Sequence, residues 1–483
     1  MSMQHIVKIN LPGGYVSAGD LYEMLAVAED AGAVDVRFGN RQQLYFTVDA
    51  TSLDDMETDM LRAGIDYELD ADEYPNIISS YVCDSIFSQE SWLREGVYRD
   101  IFDLFSYKPR LKINIVDRHQ TFVPFFSGNF NFISSEVSNY WYWYIRFPKT
   151  SKFYCWPVLI YSEDMPMVSH QAEKLIFENK GLFHDKPHAD EQLFYQMLSG
   201  QLEVSTQTIT EPLQLPDFYL PYYEGFNKYA NKYWLGIYRR NELFSIGFLK
   251  DVCSLCIQSR IGQVYTTPWK SILIKGIETN QRADWGLILD KYRLNIRHAS
   301  NELNWQIEDL SAEGLTLKQQ LVREFEEADL RTYRLSFVIK IRPKTGLMGS
   351  VIIKAHPSGT FELLHTLNFN PNSKDYISYK KRVKRSNLGE ELIALCHIYY
   401  TTVIENIAVD TMSYEDNAAA IDNLKELYAC KYCKTIYDSE YGDRDNGIMP
   451  GTPFEGVSDD YACPVCGSEK ECFEKMEAVA VRQ

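Results

Sequence analysis

No stretch of this 483-residue chain approaches 18 consecutive apolar residues, so a bilayer-spanning helix is not expected. The start, MSMQHIVKINLPGG, lacks the charged-then-apolar layout of a secretory leader, and the expected compartment is the cytoplasm. Positive charge is scarce: 49 Lys and Arg against 67 Asp and Glu leave a formal charge of −18, which would repel phosphate backbones and argues against nucleic acid as a partner. Cysteine is missing from 257 to 395. What is present is ordinary for a globular protein, with 45% hydrophobic and 24% charged residues, enough apolar surface for about three domains.

Of the ten cysteines, four stand in two closely spaced pairs, Cys430-Lys-Tyr-Cys433 and Cys463-Pro-Val-Cys466, separated by 29 residues. In a reducing compartment such pairs signal metal or redox chemistry rather than disulfides. Four thiolates at this spacing can close a tetrahedral site, and soft sulfur donors suit iron or zinc. The intervening Ile436-Tyr-Asp438, Gly442-Asp-Arg-Asp-Asn-Gly447, Pro450-Gly-Thr452, Phe454 and Asp459-Asp460, with a closing Phe473, make residues 426–477 resemble rubredoxin. The resemblance implies a mononuclear Fe(Cys)4 electron-transfer centre on Cys430, Cys433, Cys463 and Cys466. About 50 residues bury too little apolar area to fold unaided, and a metal supplies the missing stability. Twelve acidic and five basic residues in 426–477 give a net charge of −7, suited to steering toward a basic partner. Lys434 stands where the family usually has Gly, and Tyr461 where it often has Trp; at positive φ, Lys434 would cost on the order of 1 kcal/mol. Cys472 lies outside both pairs. The alternative is a structural zinc ribbon in a non-redox interaction protein.

At the N-terminus, Val7, Ile9 and Leu11 alternate as a strand, Pro12-Gly13-Gly14 turns the chain, and Ser17 caps a helix through Leu21, Leu25 and Ala28 that Gly32 ends. Strands follow at Val34 to Phe38 and Leu44 to Val48, then a helix from near Ser52 to Gly64. Together with Gly13-Gly14 and Arg37-Phe-Gly-Asn-Arg41-Gln42, this β-α-β-β-α order resembles the ferredoxin-like half-domain of siroheme-dependent nitrite and sulfite reductases. Those reductases hold two such halves, and a repeat is present: Trp234 to Tyr238 and Val264 to Thr266 read as strands, Glu242 to about Arg260 as a helix, and Val264 to Ile274 aligns with Val36 to Phe46 at a constant offset of 228. Pro109-Arg110-Leu111-Lys112 and Gly128-Asn129-Phe130-Asn131 are similar to the reductase body. The expected fold is α+β: ferredoxin-like half-domains at 1–70 and 217–300, reductase-like body at 71–216 and 301–420, and the rubredoxin module at 421–483.

The catalytic inventory implied by the resemblance is incomplete. The family's iron–sulfur cluster needs four cysteines after the second half-domain, inside the gap from 257 to 395, so no 4Fe-4S cluster is expected. Cys253 and Cys256, three apart on an apolar helix face, read as core. Among the anion-binding cations, Arg37 and Arg41 remain; Pro75 replaces the Arg before Asn76, and Leu111 and Ile113 replace the lysines of a Lys-x-Lys. Siroheme or another anion would have Arg37, Arg41, Arg110, Lys112 and Lys270 to meet, or these are ordinary surface charges; siroheme is not favoured. Lys374, Lys380, Lys381, Arg382, Lys384 and Arg385 form a basic stretch read as a solvated helix or loop face, the alternative being a surface that receives the acidic rubredoxin module or a redox partner. The loop around His184 and His188 carries no site, and Tyr140-Trp-Tyr-Trp-Tyr144 reads as core strand.

The leading reading is therefore a one-electron carrier whose reductase-like body is a docking scaffold for redox partner proteins, a donor and an acceptor reductase, with inorganic nitrogen or sulfur assimilation the pathway by analogy. It is an electron carrier or oxidoreductase component rather than a complete nitrite or sulfite reductase. The alternative from the enzyme class is a siroheme-binding reductase fed by its fused rubredoxin.

Overall fold

The computed structural model describes residues 4–88, 91–184, 188–296, 299, 301–342, 346–373, 375–415, 427–433, 435–439, 441–443, 446–449 and 451–475, with the backbone alone over 403–415. Two units are distinct, Met1–Tyr399 and Tyr400–Gln483.

In the first unit, Ser17 accepts a hydrogen bond from the Asp20 N–H at 3.0 Å and caps the helix Ala18–Asp30. The strands Gln4–Ile9, Asp35–Phe38 and Leu44–Asp49 follow the sequence reading closely, and the helix Leu53–Ala63 ends on Gly64 in the left-handed region. Val34 lies outside its strand and is exposed. The offset of 228 extends well beyond the segment in which it is read from sequence: strand Lys232–Ile237, helix Ile246–Gln258, and strands Gln263–Thr266 and Ile272–Ile277 repeat the first half position by position. The second helix starts four residues later than expected, because Phe244–Ser245 forms a strand and Glu242, at φ 59°, turns inward to a buried lysine.

Each half lends a strand to the other. Tyr15–Ser17 pairs with Gln263–Thr266 in a sheet made otherwise of the second half, and Phe244–Ser245 pairs with Asp35–Phe38 in the sheet of the first. The helices Ala18–Asp30 and Ile246–Gln258 pack together, and one core unites Leu21, Leu25, Leu249, Val252 and Cys256. Cys253 and Cys256 are buried in that core, and burial pushes the Cys253 thiol up to about 12.

The rest of the unit is duplicated too. Ile78–Ser79, Ile113–Val116 and Phe130–Ser134 run parallel, and Tyr140–Ile145 returns antiparallel; Trp305–Ile307, Phe337–Lys340 and Val351–Ala355 repeat the order, with Phe361–Thr366 returning. Trp141 and Trp143 are buried, as the aromatic run predicts. Within the basic stretch, Lys380, Lys381 and Arg382 lie on the edge strand Tyr376–Val383, whereas Lys384 follows it and Arg385 opens the short turn of helix Arg385–Asn387. Lysines on an exposed edge discourage pairing with other chains, and Lys380 is tied to Glu391 at 2.5 Å. Lys374, Lys434 and the loop between His184 and His188 lie outside the described residues.

In the second unit, Leu427–Cys430, Ile436–Asp438 and Phe473–Lys475 form a three-stranded antiparallel sheet. Phe454 centres its small core, stacked on Tyr428 at 4.3 Å and edge-on to Tyr437 at 5.1 Å. Tyr461 packs on Phe473 and donates from its hydroxyl to Asp443 at 3.0 Å, a bond the indole of a Trp would make differently. Among the described residues no helix is long and apolar enough to cross a membrane.

Candidate functional site

The two Cys-x-x-Cys turns face each other across the small sheet. In the first, Cys430 ends a strand and its N–H donates to the Thr435 carbonyl at 2.8 Å; in the second, Cys463 donates likewise to Ser468 at 2.8 Å, and the Gly467 N–H donates back to Cys463. These turns bring four Sγ atoms within 4.8 Å of one another, the only such group of potential metal ligands among the described residues. Cys430 lies 3.6 Å from Cys466 and Cys433 3.5 Å from Cys463, against roughly 3.8 Å expected between sulfurs of a tetrahedral site with metal–sulfur bonds of about 2.3 Å. Hydroxyl groups surround the sulfurs: Ser468 Oγ is 3.1 Å from Cys430 and 3.0 Å from Cys466, and Thr435 Oγ1 is 3.0 Å from Cys433. The Cys433 N–H and the Ser468 hydroxyl hold the Cys430 thiol down at about 6, and Thr435 lowers Cys433, so the first turn favours thiolates, whereas Cys466 beside the sulfurs of Cys433 and Cys430 is shifted up. Cys430 and Cys463 are buried, whereas Cys466 is exposed and Cys433 half-buried beside exposed Tyr432 and Val465. The donor set and spacing fit one tetrahedral iron.

The five cations singled out in the first unit separate. Arg41 and Lys112 line one cavity of about 530 Å³ with Asp72, Glu308 and Asp309. Arg41 is locked onto backbone, donating to the Asn76 carbonyl at 2.7 Å and the Ile113 carbonyl at 2.9 Å. Burial, then the charge of Arg41, brings Lys112 down to about 8. Lys270 sits behind the cavity wall, held by Glu242 at 2.9 Å and Asp309 at 3.5 Å. Arg37 lines a separate cavity and donates to the Asn241 carbonyl at 3.4 Å. Arg110 is at the surface with Glu73 and the Phe177 ring.

Sequence reasoning missed the acidic half of this cavity. Glu308 and Asp309 follow the strand Trp305–Ile307, and Arg342 follows the parallel strand Phe337–Lys340. The carboxyl ends of parallel strands are where α/β sheets hold ligands, which is the signal that would have found them. Asn40 and Gln43 were adjacent to Arg41 in the turn, but nothing in the spacing shows that they face Asp309 from 266–269 residues away.

Residues 427–473 match the family model for rubredoxin. The high molecular weight rubredoxin of Moorella thermoacetica is 39% identical over 66 residues, which cover 14% of this chain and 28% of that protein; the match thus spans little more than a quarter of the relative. The structure of the Mycobacterium tuberculosis NirA protein superposes with a TM-score of 0.63 at 14% identity, covering 81% of this chain and 80% of that one. The chain therefore carries a rubredoxin domain near its C-terminus, and the rest has a NirA-like fold.

Proposed function

We propose that this protein is a one-electron carrier that holds a single iron on Cys430, Cys433, Cys463 and Cys466, with the unit Met1–Tyr399 as a scaffold for redox partner proteins. The observation that carries the reading is the convergence of four sulfurs within 4.8 Å in a domain that matches rubredoxin. A bound iron supplies a one-electron Fe(III)/Fe(II) couple. The protein supplies a rigid tetrahedral donor set that suits both states, with hydroxyl groups beside three of the sulfurs. The edge with Tyr432, Cys433, Val465 and Cys466 is where the sulfurs come closest to solvent, so donor and acceptor dock on that face in turn. The acidic character of residues 426–477 favours basic partner surfaces.

The arrangement of cations in the first unit supports the carrier reading over a siroheme enzyme. A carboxylate-rich macrocycle requires convergent cations, whereas only two of the five named cations share a cavity, and Asp72, Glu308 and Asp309 share it with them. The absence of cysteine from 257 to 395 speaks against an adjoining iron–sulfur cluster, and burial of Cys253 and Cys256 in a helix-packing core removes them as substitutes.

The test is an absorption spectrum of the full-length protein before and after dithionite, with metal and tetrapyrrole quantitation. Thiolate-to-iron bands that bleach, one iron per chain and no tetrapyrrole are expected; Cys463→Ser should lose the bands and leave the first unit folded. A colourless zinc protein would overturn the carrier, and a porphyrinoid band would favour the reductase reading.

A further inference from the structure

The two metal-binding turns share a feature beyond their cysteines. Two residues after the second cysteine of each pair stands a hydroxyl residue, Thr435 after Cys433 and Ser468 after Cys466. Each closes its own turn through the backbone: the Thr435 carbonyl accepts from the Cys430 N–H and the Ser468 carbonyl from the Cys463 N–H, both at 2.8 Å. The side chains then meet sulfur. Thr435 Oγ1 lies 3.0 Å from Cys433 Sγ, while Ser468 Oγ lies 3.0 Å from Cys466 Sγ and 3.1 Å from Cys430 Sγ. Both residues are half-buried.

A cysteine sulfur that binds metal has given up its proton and can only accept, so in a loaded site the two hydroxyl groups are the donors. Four thiolates leave one net negative charge around Fe(III) and two around Fe(II), and reduction takes up one electron and no proton. A donor aimed at the sulfurs therefore stabilises the reduced form more than the oxidised one and raises the reduction potential. The two donors differ in reach. Thr435 serves the turn it belongs to, whereas the single hydroxyl proton of Ser468 lies between a sulfur of each turn, 3.6 Å apart. One of these, Cys430, is fully buried, where water does not compete with the donor.

We infer that Thr435 and Ser468 are positioning residues that set the potential of the iron centre: their hydroxyl groups donate to Cys433, Cys466 and Cys430 and hold the couple above the value that the four cysteines alone would give. The inference rests on the iron reading of the site and adds to it the side chains that tune the couple.

The experiment is a mediated redox titration of the iron-loaded full-length protein, followed by the thiolate-to-iron bands. Ser468→Ala and Thr435→Val remove a hydroxyl with little change in bulk. Each should lower the equilibrium constant for reduction at least about threefold, which is about 28 mV at about 59 mV per tenfold for one electron. Ser468→Thr and Thr435→Ser keep the donor and should stay within about twofold of the wild type. The iron–sulfur stretching frequencies should rise in the hydroxyl-free variants, because a thiolate relieved of a donor binds iron more strongly. The two positions are independent, so if one variant failed to load iron the other would still decide. Potentials unmoved in iron-loaded Ser468→Ala and Thr435→Val would overturn the inference and leave the carrier reading standing. A fall as large in the hydroxyl-keeping variants would overturn it too, since packing rather than donation would then set the potential. A wild-type protein that takes up zinc alone would overturn both the inference and the reading beneath it.

Discussion

Lys275 shows how a single buried cation links sequence to stability. Its ammonium donates to the carbonyls of Tyr81 at 3.3 Å and Asp84 at 3.1 Å and lies 4.1 Å above the Tyr265 ring. Burial, only partly offset by Asp84, brings its pKa down to about 8. Between about pH 8 and the usual lysine value the unfolded chain then binds more protons than the native one, so stability contributed by this site rises with pH across that window. Compared with Lys275→Met, the wild-type protein should gain on the order of 2 kcal/mol between pH 8 and pH 10, measured by urea unfolding at each pH. None of this was legible in the sequence, where Lys275 is one more residue of a strand. By contrast, Cys430, Cys433, Cys463 and Cys466 were legible because a local turn repeated twice sets their geometry, and local geometry is what spacing encodes.

At the scale of elements, the duplication offers an internal control. The helices Ala18–Asp30 and Ile246–Gln258 occupy equivalent places, and each is preceded by a serine. Ser17 caps through its side chain, whereas Ser245 makes no such bond. Ser17→Ala should therefore cost about 1 kcal/mol and Ser245→Ala only a few tenths, in parallel denaturant titrations. The turns after the third strand tell a similar story. Gln42 and Lys270, 228 apart, both take positive φ, so the backbone has been kept while the side chains have diverged. One equivalent position holds Arg41, bound to backbone carbonyls, and the other holds Trp269, buried and donating to the Phe122 carbonyl. Sequence periodicity captured the elements and their repeat, since both are written in alternation and caps. It did not capture which turn faces a cavity, because that is settled by Glu308 and Asp309 arriving from a distant strand.

For the whole molecule, the two units differ in what stabilises them. The first has large cores around Trp141, Phe130 and Trp143 and around Leu21, Leu249 and Ile274, while the core of the second among the described residues consists of Tyr437, Phe454, Val457, Tyr461 and Phe473 with two cysteines. A metal bound by thiolates therefore contributes much of the folding free energy of the small unit and none of that of the large one. Removing the metal with a strong chelator under reducing conditions should unfold residues 427–475 alone, giving a low-temperature calorimetric transition while the main transition stays in place. A single shifted transition would show that the units melt together.

The strands exchanged between the halves set a schedule for synthesis. Ser17 finds its neighbour Gln263 only after 246 further residues have been made. At about 5–20 residues per second, a ribosome needs roughly 12 to 50 seconds to supply them. Throughout that interval Asp35–Phe38 also lacks the strand Phe244–Ser245 that covers its outer side. The nascent chain thus carries an open sheet border for tens of seconds, which makes it a natural client for a chaperone and makes premature truncation before about residue 266 a route to aggregation rather than to a smaller folded protein.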